Sequence, residues 1–140
     1  MGAIILIRNK SGMEIKKILT EYFTQNEKVI MAFLYGSYAK GTALADSDVD
    51  IAVYLANGYS KNDVDQIWDE LSALIKMDVE LLILNEAKES IGWSAVRGKA
   101  LVIKDWKLYL KYMLSVSFDA MDFQNVVEDI WKMKRKLKHA

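Results

Sequence analysis

The sequence lacks cysteine and proline altogether, and its apolar residues form no long run. Without cysteine there is no disulfide framework, no thiolate metal site and no thiol nucleophile, which fits a reducing compartment. The longest purely apolar run near the N-terminus, residues 3–7, is far too short for a membrane span or the core of a signal peptide. We therefore expect a cytoplasmic protein without a membrane segment.

Net charge is absent as well, because 19 Lys and Arg residues balance 19 Asp and Glu residues. A general nucleic-acid binder is therefore not indicated. The charges are unevenly distributed, however: residues 46–80 contain nine acids and two bases, whereas the last nine residues contain five bases. The acidic middle suits a divalent metal. The basic end suits an acidic partner or the C-terminus of a helix, or is simply solvated.

The length and the apolar content indicate one folded unit. At 140 residues, of which 52% are hydrophobic, the chain is long enough to bury a core and too apolar to be disordered. We predict a single domain over residues 1–140. Its core covers about 15–104, and a C-terminal helical segment covers about 105–137.

Capping patterns predict where the helices begin. Ser11 and Ser60 are each followed three residues later by an acid, so both serines are predicted to cap helices. Asn85 is predicted to cap a third, short helix. From Asp105 onwards the apolar spacing is helical, and the pattern leaves open whether this segment is one helix or two.

Four apolar segments have the length and the composition of strands, and the last is predicted at a sheet edge. They are residues 29–35, 49–55, 77–84 and 100–103. Between the first two, residues 38–44 are predicted to form a short helical turn. The pattern indicates an α/β (α+β) fold with a small mixed sheet of about four strands packed with helices.

The most informative motif is Gly36-Ser37, followed after ten residues by Asp48 and Asp50. Gly36 lets the backbone approach a polyphosphate because it has no Cβ, and the Ser37 hydroxyl can donate to a phosphate oxygen. At i and i+2 on a strand the two carboxylates leave the same face, roughly 7 Å apart. Such oxygen ligands suit Mg²⁺ together with substrate phosphates. The combination therefore predicts a nucleoside triphosphate site.

This motif resembles the signature of the nucleotidyltransferase superfamily related to DNA polymerase β. The brevity of the chain is similar to that of the minimal nucleotidyltransferases (MNT), the antitoxins of HEPN–MNT toxin–antitoxin systems. Residues 79–87 resemble the third-carboxylate strand of that family, and residues 95–105 resemble its closing loop and strand. The resemblance covers about residues 15–123 and implies the nucleotidyltransferase fold.

The resemblance implies a catalytic metal site with two Mg²⁺ ions. Asp48, Asp50 and a third carboxylate would hold the ions and act in catalysis. The resemblance assigns the third role to Glu80, where the family usually has Asp, and the extra methylene predicts weakened catalysis. Asp78, one strand repeat earlier on the same face, is the alternative ligand.

The resemblance also implies that Gly36, Ser37 and Lys40 bind the nucleotide. Lys40 stands where the family often has Arg, and a lysine can meet a phosphate only as a point charge. An ordinary surface lysine is an equal interpretation of Lys40. Trp93 and Tyr54 are the candidates for stacking on the base, although the aromatic residues also fit core positions.

The implied function is that of a Mg²⁺-dependent protein adenylyltransferase. It would transfer AMP from ATP to a tyrosine of a cognate HEPN ribonuclease toxin, acting as antitoxin and forming a hetero-oligomer with it. Two alternatives stay open. One is a non-catalytic antitoxin that neutralises the toxin by binding, with Trp106, Trp131 and the basic C-terminal end as docking surface. The other is a nucleotidyltransferase that modifies a small molecule. The residues themselves select neither ATP nor the acceptor.

Overall fold

The computed structural model describes residues 12–41, 43, 48–117 and 123–138. The predicted cap at Ser11 and the end of the predicted turn at Leu44 lie outside these residues. In the described part, six helices and four strands follow one another. In chain order they are α1 (Gly12–Gln25), β1 (Val29–Tyr35), α2 (Gly36–Lys40), β2 (Val49–Leu55), α3 (Lys61–Ile75), β3 (Val79–Ile83), α4 (Glu89–Val96), β4 (Lys99–Ile103), α5 (Trp106–Val116) and α6 (Phe123–Lys138).

The four strands form one mixed sheet in the order β3-β2-β1-β4. Strand β1 is antiparallel to β2 and to β4, whereas β2 and β3 are parallel. The parallel pair is joined by α3, as a crossover between neighbouring parallel strands requires. The predicted mixed sheet is confirmed, and so is the edge position of the last strand, because among the described strands β4 pairs with β1 alone.

Helices cover both faces of the sheet, so the core is divided into two clusters. The first cluster takes Ile15, Leu19 and Phe23 from α1 and Ile67, Leu71 and Ile75 from α3. The second takes Ala95 and Val96 from α4, Tyr109, Met113 and Val116 from α5, and Ile130 from α6. Successive β2 residues alternate between them, with Ile51 in the first cluster and Ala52 in the second. Asp50, two residues before Ala52, therefore lies on the face of the second cluster.

Of the two predicted caps within the described residues, one is confirmed and one is wrong. The Ser60 hydroxyl accepts from the Asp63 N–H at 3.2 Å, and the Asp63 carboxylate accepts from the Ser60 N–H at 2.9 Å. Asn85 does not cap a helix, since the N-cap of α4 is Lys88. Its side-chain amide instead donates to the Leu55 carbonyl oxygen at 2.9 Å and accepts from the Leu55 N–H at 2.8 Å. The unpaired backbone groups at the end of β2 thus capture this amide.

The C-terminal helical segment forms two helices, α5 and α6. The Asp105 carboxylate caps α5 by accepting from the Leu108 N–H at 3.0 Å. Contact between the two helices includes the Tyr109 hydroxyl, which donates to the Met133 sulfur at 3.3 Å. Among the described residues no helix is both long enough and apolar enough to cross a bilayer.

Candidate active site

Strand register brings two of the predicted site residues together. Asp50 and Glu80 are paired across the parallel strands β2 and β3. The starts of these strands are held by a hydrogen bond from the Val49 N–H to the Asp78 carbonyl oxygen at 2.9 Å. The two carboxylates therefore lie side by side at the end of the sheet, on the face of the second core cluster.

The electrostatics of Asp50 reflect this neighbour. Burial, a side-chain hydrogen bond with Glu80 and the negative charges of Glu80 and Asp48 together raise the pKa of Asp50 to about 6, and burial is the largest of these causes. Two carboxyl groups can hydrogen-bond only when one of them carries a proton. Below about pH 6 the pair therefore shares a proton, in a position that a cation could take instead.

The other two predicted carboxylates lie at the same end of the sheet but interact less with the Asp50–Glu80 pair. Asp48, just before β2, and Asp78, just before β3, are both exposed. The charge of Asp48 acts on Asp50, whereas no described contact joins the Asp78 side chain to that pair. In residues 12–41, 43, 48–117 and 123–138, no three His, Cys, Asp or Glu side chains are already gathered as a metal site. The Asp50–Glu80 pair nevertheless fits Mg²⁺ chemically, because all its donors are carboxylate oxygens.

Gly36 presses directly against this pair. Its φ is +71°, and a Cβ built on it would lie 2.1 Å from the Asp50 Oδ2 atom. Any other residue would be strained at this φ and would displace the carboxylate. Gly36 opens the five-residue helix α2, which begins two residues earlier than the predicted turn. Glycine is thus required both by the backbone turn and by the position of Asp50.

Tyr35 is a site residue that the sequence reasoning missed. It ends β1, pairs with Asp50 across the sheet and is half-buried. Burial raises the pKa of Tyr35 to about 12, helped by the negative charges of Asp50 and Glu80. The phenol is therefore neutral at physiological pH and available as a donor beside the carboxylates. The antiparallel register of the first two strands is the signal that could have found it.

A cavity of about 790 Å³ opens beside Gly36, and we call it the glycine cavity. Its lining residues are Tyr35, Gly36, Ala39, Lys40, Trp93, Ser94, Arg97, Gly98 and Lys99. The described lining contains three bases and no acid, and the Arg97 guanidinium lies 5.1 Å from the centre of the Trp93 ring. Cationic groups with an aromatic face suit a nucleotide.

The predicted nucleotide contacts are only partly brought together. Lys40 and Trp93 line the glycine cavity, but half-buried Ser37 is not among its lining residues. Tyr54 packs edge-on against Tyr112 instead, with ring centres 5.7 Å apart. Arg97 and Lys99 were not predicted as contacts.

Gly98 explains how Arg97 and Lys99 reach this cavity. A Cβ on Gly98 would lie 2.4 Å from the Leu34 carbonyl oxygen and 3.0 Å from the Tyr35 Cα atom. The absent side chain therefore lets the start of β4 lie against the end of β1. The two flanking bases are carried to the wall of the cavity next to Gly36.

Comparison with protein families gives one match. The family model described as "Polymerase beta, Nucleotidyltransferase" matches residues 16–107, most of the chain. The matched stretch includes the Asp50–Glu80 pair, Gly36 and every residue that lines the glycine cavity. No curated protein gives a significant match.

Solved structures share the fold at low sequence identity. A toxin–antitoxin complex with AMP-PNP contains a chain of 23% identity and TM-score 0.60, with 83% of this chain and 96% of that chain covered. A complex of the tri-AMPylated HEPN toxin of Shewanella oneidensis with MNT antitoxin contains a chain of 17% identity and TM-score 0.60, with 86% of this chain and 98% of that chain covered. The structure of the toxin–antitoxin pair MntA–HepT contains a chain of 18% identity and TM-score 0.56, with 85% of this chain and 97% of that chain covered. The predicted nucleotidyltransferase fold is confirmed.

Proposed function

The chain belongs to the polymerase beta nucleotidyltransferase family, and we propose that it transfers AMP from ATP to a hydroxyl of a protein acceptor. The observation that carries the proposal is the junction of Gly36 with the Asp50–Glu80 pair. This junction opens onto a basic cavity that contains an aromatic ring. Three features therefore meet at one point: carboxylates for a metal, a backbone that phosphates can approach, and cations for a polyphosphate.

In the proposed reaction the acceptor oxygen forms a bond to the α-phosphorus of ATP. The bond from that phosphorus to the bridging oxygen breaks, and pyrophosphate leaves with its electron pair. The proton of the acceptor hydroxyl passes to a carboxylate oxygen, for which Glu80 is best placed because it is exposed beside the partly buried Asp50. Asp48, Asp50 and Glu80 would hold Mg²⁺, which when bound offsets the charge on the phosphate oxygens.

The glycine cavity supplies the proposed contacts with ATP. Lys40, Arg97 and Lys99 would meet the phosphates, and Arg97 can do so with two parallel hydrogen bonds, unlike a lysine. Trp93 offers a ring face of the kind on which bases stack, and Arg97 already lies over that ring. Ser37, directly after Gly36, would add a hydroxyl donor.

For the acceptor we propose a tyrosine of a cognate HEPN toxin, which would make the chain an antitoxin and one member of a hetero-oligomer. Support comes from relatives of the same fold, since one of them is a complex of MNT antitoxin with a tri-AMPylated HEPN toxin. Neutralisation by binding alone is the second candidate. It is favoured by Trp131, which is 56% exposed on α6, with the Lys134 ammonium 5.5 Å from its ring centre.

The test combines chemistry with protection of cells. The cognate HEPN protein is produced with wild type, with Asp48→Asn/Asp50→Asn, and with the exposed control pair Asp65→Asn/Asp69→Asn, which makes the same charge change on α3. We expect the toxin to gain AMP by intact mass, and cells to survive, with wild type and control only. Unchanged AMP addition by the Asp48/Asp50 variant would refute the proposal. Survival without AMP addition would select neutralisation by binding.

A further inference from the structure

Helix α4 has two opposite faces, of which one faces the glycine cavity and the other is buried. The residues that line the cavity are Trp93, Ser94 and Arg97, the last of which is the C-cap of the helix. The buried residues are Gly92, Ala95 and Val96. Since α4 has only eight residues, about two turns, a shift of its buried face moves the cavity wall with it. The packing of the buried face therefore affects the width of the glycine cavity.

Gly92, on the buried face, leaves a space that Tyr112 of α5 fills. A Cβ on Gly92 would lie 2.2 Å from the Tyr112 hydroxyl oxygen, 3.3 Å from its ring carbon Cζ and 3.6 Å from the Val116 Cγ1 atom. Glycine in the interior of a helix is less favourable than alanine, so its use here needs a reason. The reason is steric, because the tip of Tyr112 occupies the place of the missing side chain.

The Tyr112 hydroxyl is buried and has no hydrogen-bond partner in the part of the chain that the structure describes. Burial is the main cause that raises the pKa of Tyr112 to about 12, so the group keeps its proton at physiological pH. An unpaired buried hydroxyl is unfavourable for stability, and phenylalanine would avoid that cost. At this contact the hydroxyl therefore contributes bulk rather than a hydrogen bond.

Tyr112 also contacts the strand that carries Asp50. Its ring packs edge-on against Tyr54, with ring centres 5.7 Å apart and an angle of 75° between the planes. Tyr54 and Asp50 lie on the same face of β2, because side chains alternate along a strand. A swing of the ring away from Gly92 would disturb this aromatic contact. Tyr112 thus stands as a spacer between β2 and α4.

We propose that Tyr112 is a positioning residue, whose contact with Gly92 sets the distance between α4 and β2 and thereby the width of the glycine cavity. A change in that width alters how Trp93 and Arg97 meet the nucleotide, whereas the paired carboxylates keep their places on the strands. This role rests on the proposed function only for the identity of the nucleotide, ATP. A disturbed contact should therefore weaken ATP binding without slowing transfer at saturating ATP.

The test is a double-mutant cycle on this contact, measured by calorimetry with ATP and Mg²⁺. Gly92→Ala should bind ATP about tenfold more weakly, because the new methyl group pushes α4 towards the cavity. Tyr112→Phe, which removes only the hydroxyl and leaves a gap, should bind about threefold more weakly. The double variant Gly92→Ala/Tyr112→Phe should bind within about twofold of wild type, because the methyl group takes the place of the hydroxyl. Its remaining 3.3 Å contact with Cζ needs only a small adjustment.

A matched control makes the same chemical change elsewhere on α5. The Tyr109 hydroxyl donates to the Met133 sulfur of α6. Gly92→Ala/Tyr109→Phe should therefore bind ATP as weakly as Gly92→Ala alone. At saturating ATP, the rate of AMP transfer should stay within about twofold of wild type for every variant of the cycle. The denaturation midpoint of Tyr112→Phe should not fall below that of wild type, because the hydroxyl it loses is unpaired.

Three results would overturn the positioning role of Tyr112. They are additive effects of Gly92→Ala and Tyr112→Phe on ATP binding, an equal rescue by Tyr109→Phe, and a transfer rate at saturating ATP that falls as much as the affinity. If Gly92→Ala does not fold, unchanged ATP affinity in Tyr112→Phe would overturn it as well. ATP binding by wild type without AMP transfer would refute the proposed function alone, and a rescue confined to Gly92→Ala/Tyr112→Phe would still support the positioning role. Absence of ATP binding by wild type would overturn both.

Discussion

Two regions each gather mostly charges of one sign on a neutral chain, but they hold those charges differently. One is the carboxylate end of the sheet, and the other is the lysine groove, the groove of about 670 Å³ whose lining includes Lys16, Lys99 and Lys136. Asp50 and Glu80 stand on paired strands with short connections to the backbone, and the Asp50 carboxylate occupies the space that a Cβ on Gly36 would need. Lys16 and Lys136 reach their groove from two helices on long, flexible side chains.

This difference in rigidity suits the first region to the proposed chemistry and the second to binding of an anion. A displacement of about 1 Å at reacting atoms can reduce a rate about 10²-fold, so catalytic groups need a rigid backbone. Phosphates held by lysines tolerate such displacements, because each ammonium acts as a point charge with freely rotating donors. Burial is the main cause of the raised pKa of Asp50 and of the lowered pKa of Lys16, and the like charges around each group act in the same direction. Both regions therefore carry a repulsion in the absence of ligand.

The largest effect is expected when Glu80, in the Asp50–Glu80 pair, can no longer accept a proton. Glu80→Gln should reduce the transfer rate about 10³-fold, because an amide cannot accept the proton of the acceptor hydroxyl. Asp78→Asn is the matched control, since it makes the same charge change two residues away and should retain activity. Single-turnover measurements of AMP transfer would decide. Equal losses in both variants would show that the end of the sheet acts only through its total charge.

Part of this site could be predicted from the sequence, because some of its signals are local. Residues 29–35 form an unbroken apolar run and residues 49–55 alternate, so both strands end where they were predicted to end. The spacing of Gly36 and Asp50 predicted a common site before any register was known.

The remaining features depend on packing that the sequence does not display. Arg97 and Lys99 belong to the site only because Gly98 lies against β1, and Tyr35 belongs to it only through its pairing with Asp50. Asn85 looked like a helix cap, but the backbone at Leu55 competed for the same amide. Local patterns locate the elements, whereas contacts between distant segments decide which side chains meet.

The next largest effect on the transfer rate should follow when a side chain fills the space beside Gly36. Gly36→Ala should reduce the transfer rate about 10²-fold, because the new Cβ would displace the Asp50 carboxylate. Gly58→Ala is the matched control, since its φ of +85° carries similar backbone strain while nothing lies within 4 Å of its Cβ position. Both variants should lose about 1 kcal/mol in the free energy of unfolding. Similar activity losses in both would mean that strain, and not the position of Asp50, is responsible.

Neutralising Asp50 should stabilise the protein when divalent metal is removed by a chelator. Asp50→Asn removes the repulsion from Glu80 and Asp48 and still offers an amide donor to Glu80. Above pH 6 the variant should exceed wild type in free energy of unfolding by less than about 1 kcal/mol, because Asp50 is only partly buried. Asp69→Asn, on an exposed part of α3, should stay within about 0.5 kcal/mol of wild type.

The difference in free energy of unfolding between wild type and Asp50→Asn should depend on pH. The Asp50 carboxyl loses its proton near 3.8 when unfolded but near 6 when folded. Between these values the folded state binds more protons, so the stability of wild type relative to Asp50→Asn should fall as pH rises. Chemical denaturation from pH 3.5 to 7, with Glu80 and Tyr35 present in both proteins, measures the difference. A difference that does not vary with pH would contradict the shared proton.

The smallest effect should come from the flexible lysine groove, because long side chains can move apart. Lys16→Gln relieves the repulsion from Lys99 and Lys136 and should raise the free energy of unfolding by about 0.3 kcal/mol at neutral pH. At about 1 M salt the part of the gain that comes from Lys99 and Lys136 should disappear, because charges are then screened beyond about 3 Å. The part that comes from burial of the Lys16 ammonium should remain. The gain should also shrink as pH rises towards 10.5, since folded wild type releases the Lys16 proton before the unfolded chain does. Lys17→Gln, exposed on the same helix, should show neither trend in denaturant titrations. A gain that does not change with salt would mean that burial of the Lys16 ammonium alone, without its positive neighbours, limits stability at the groove.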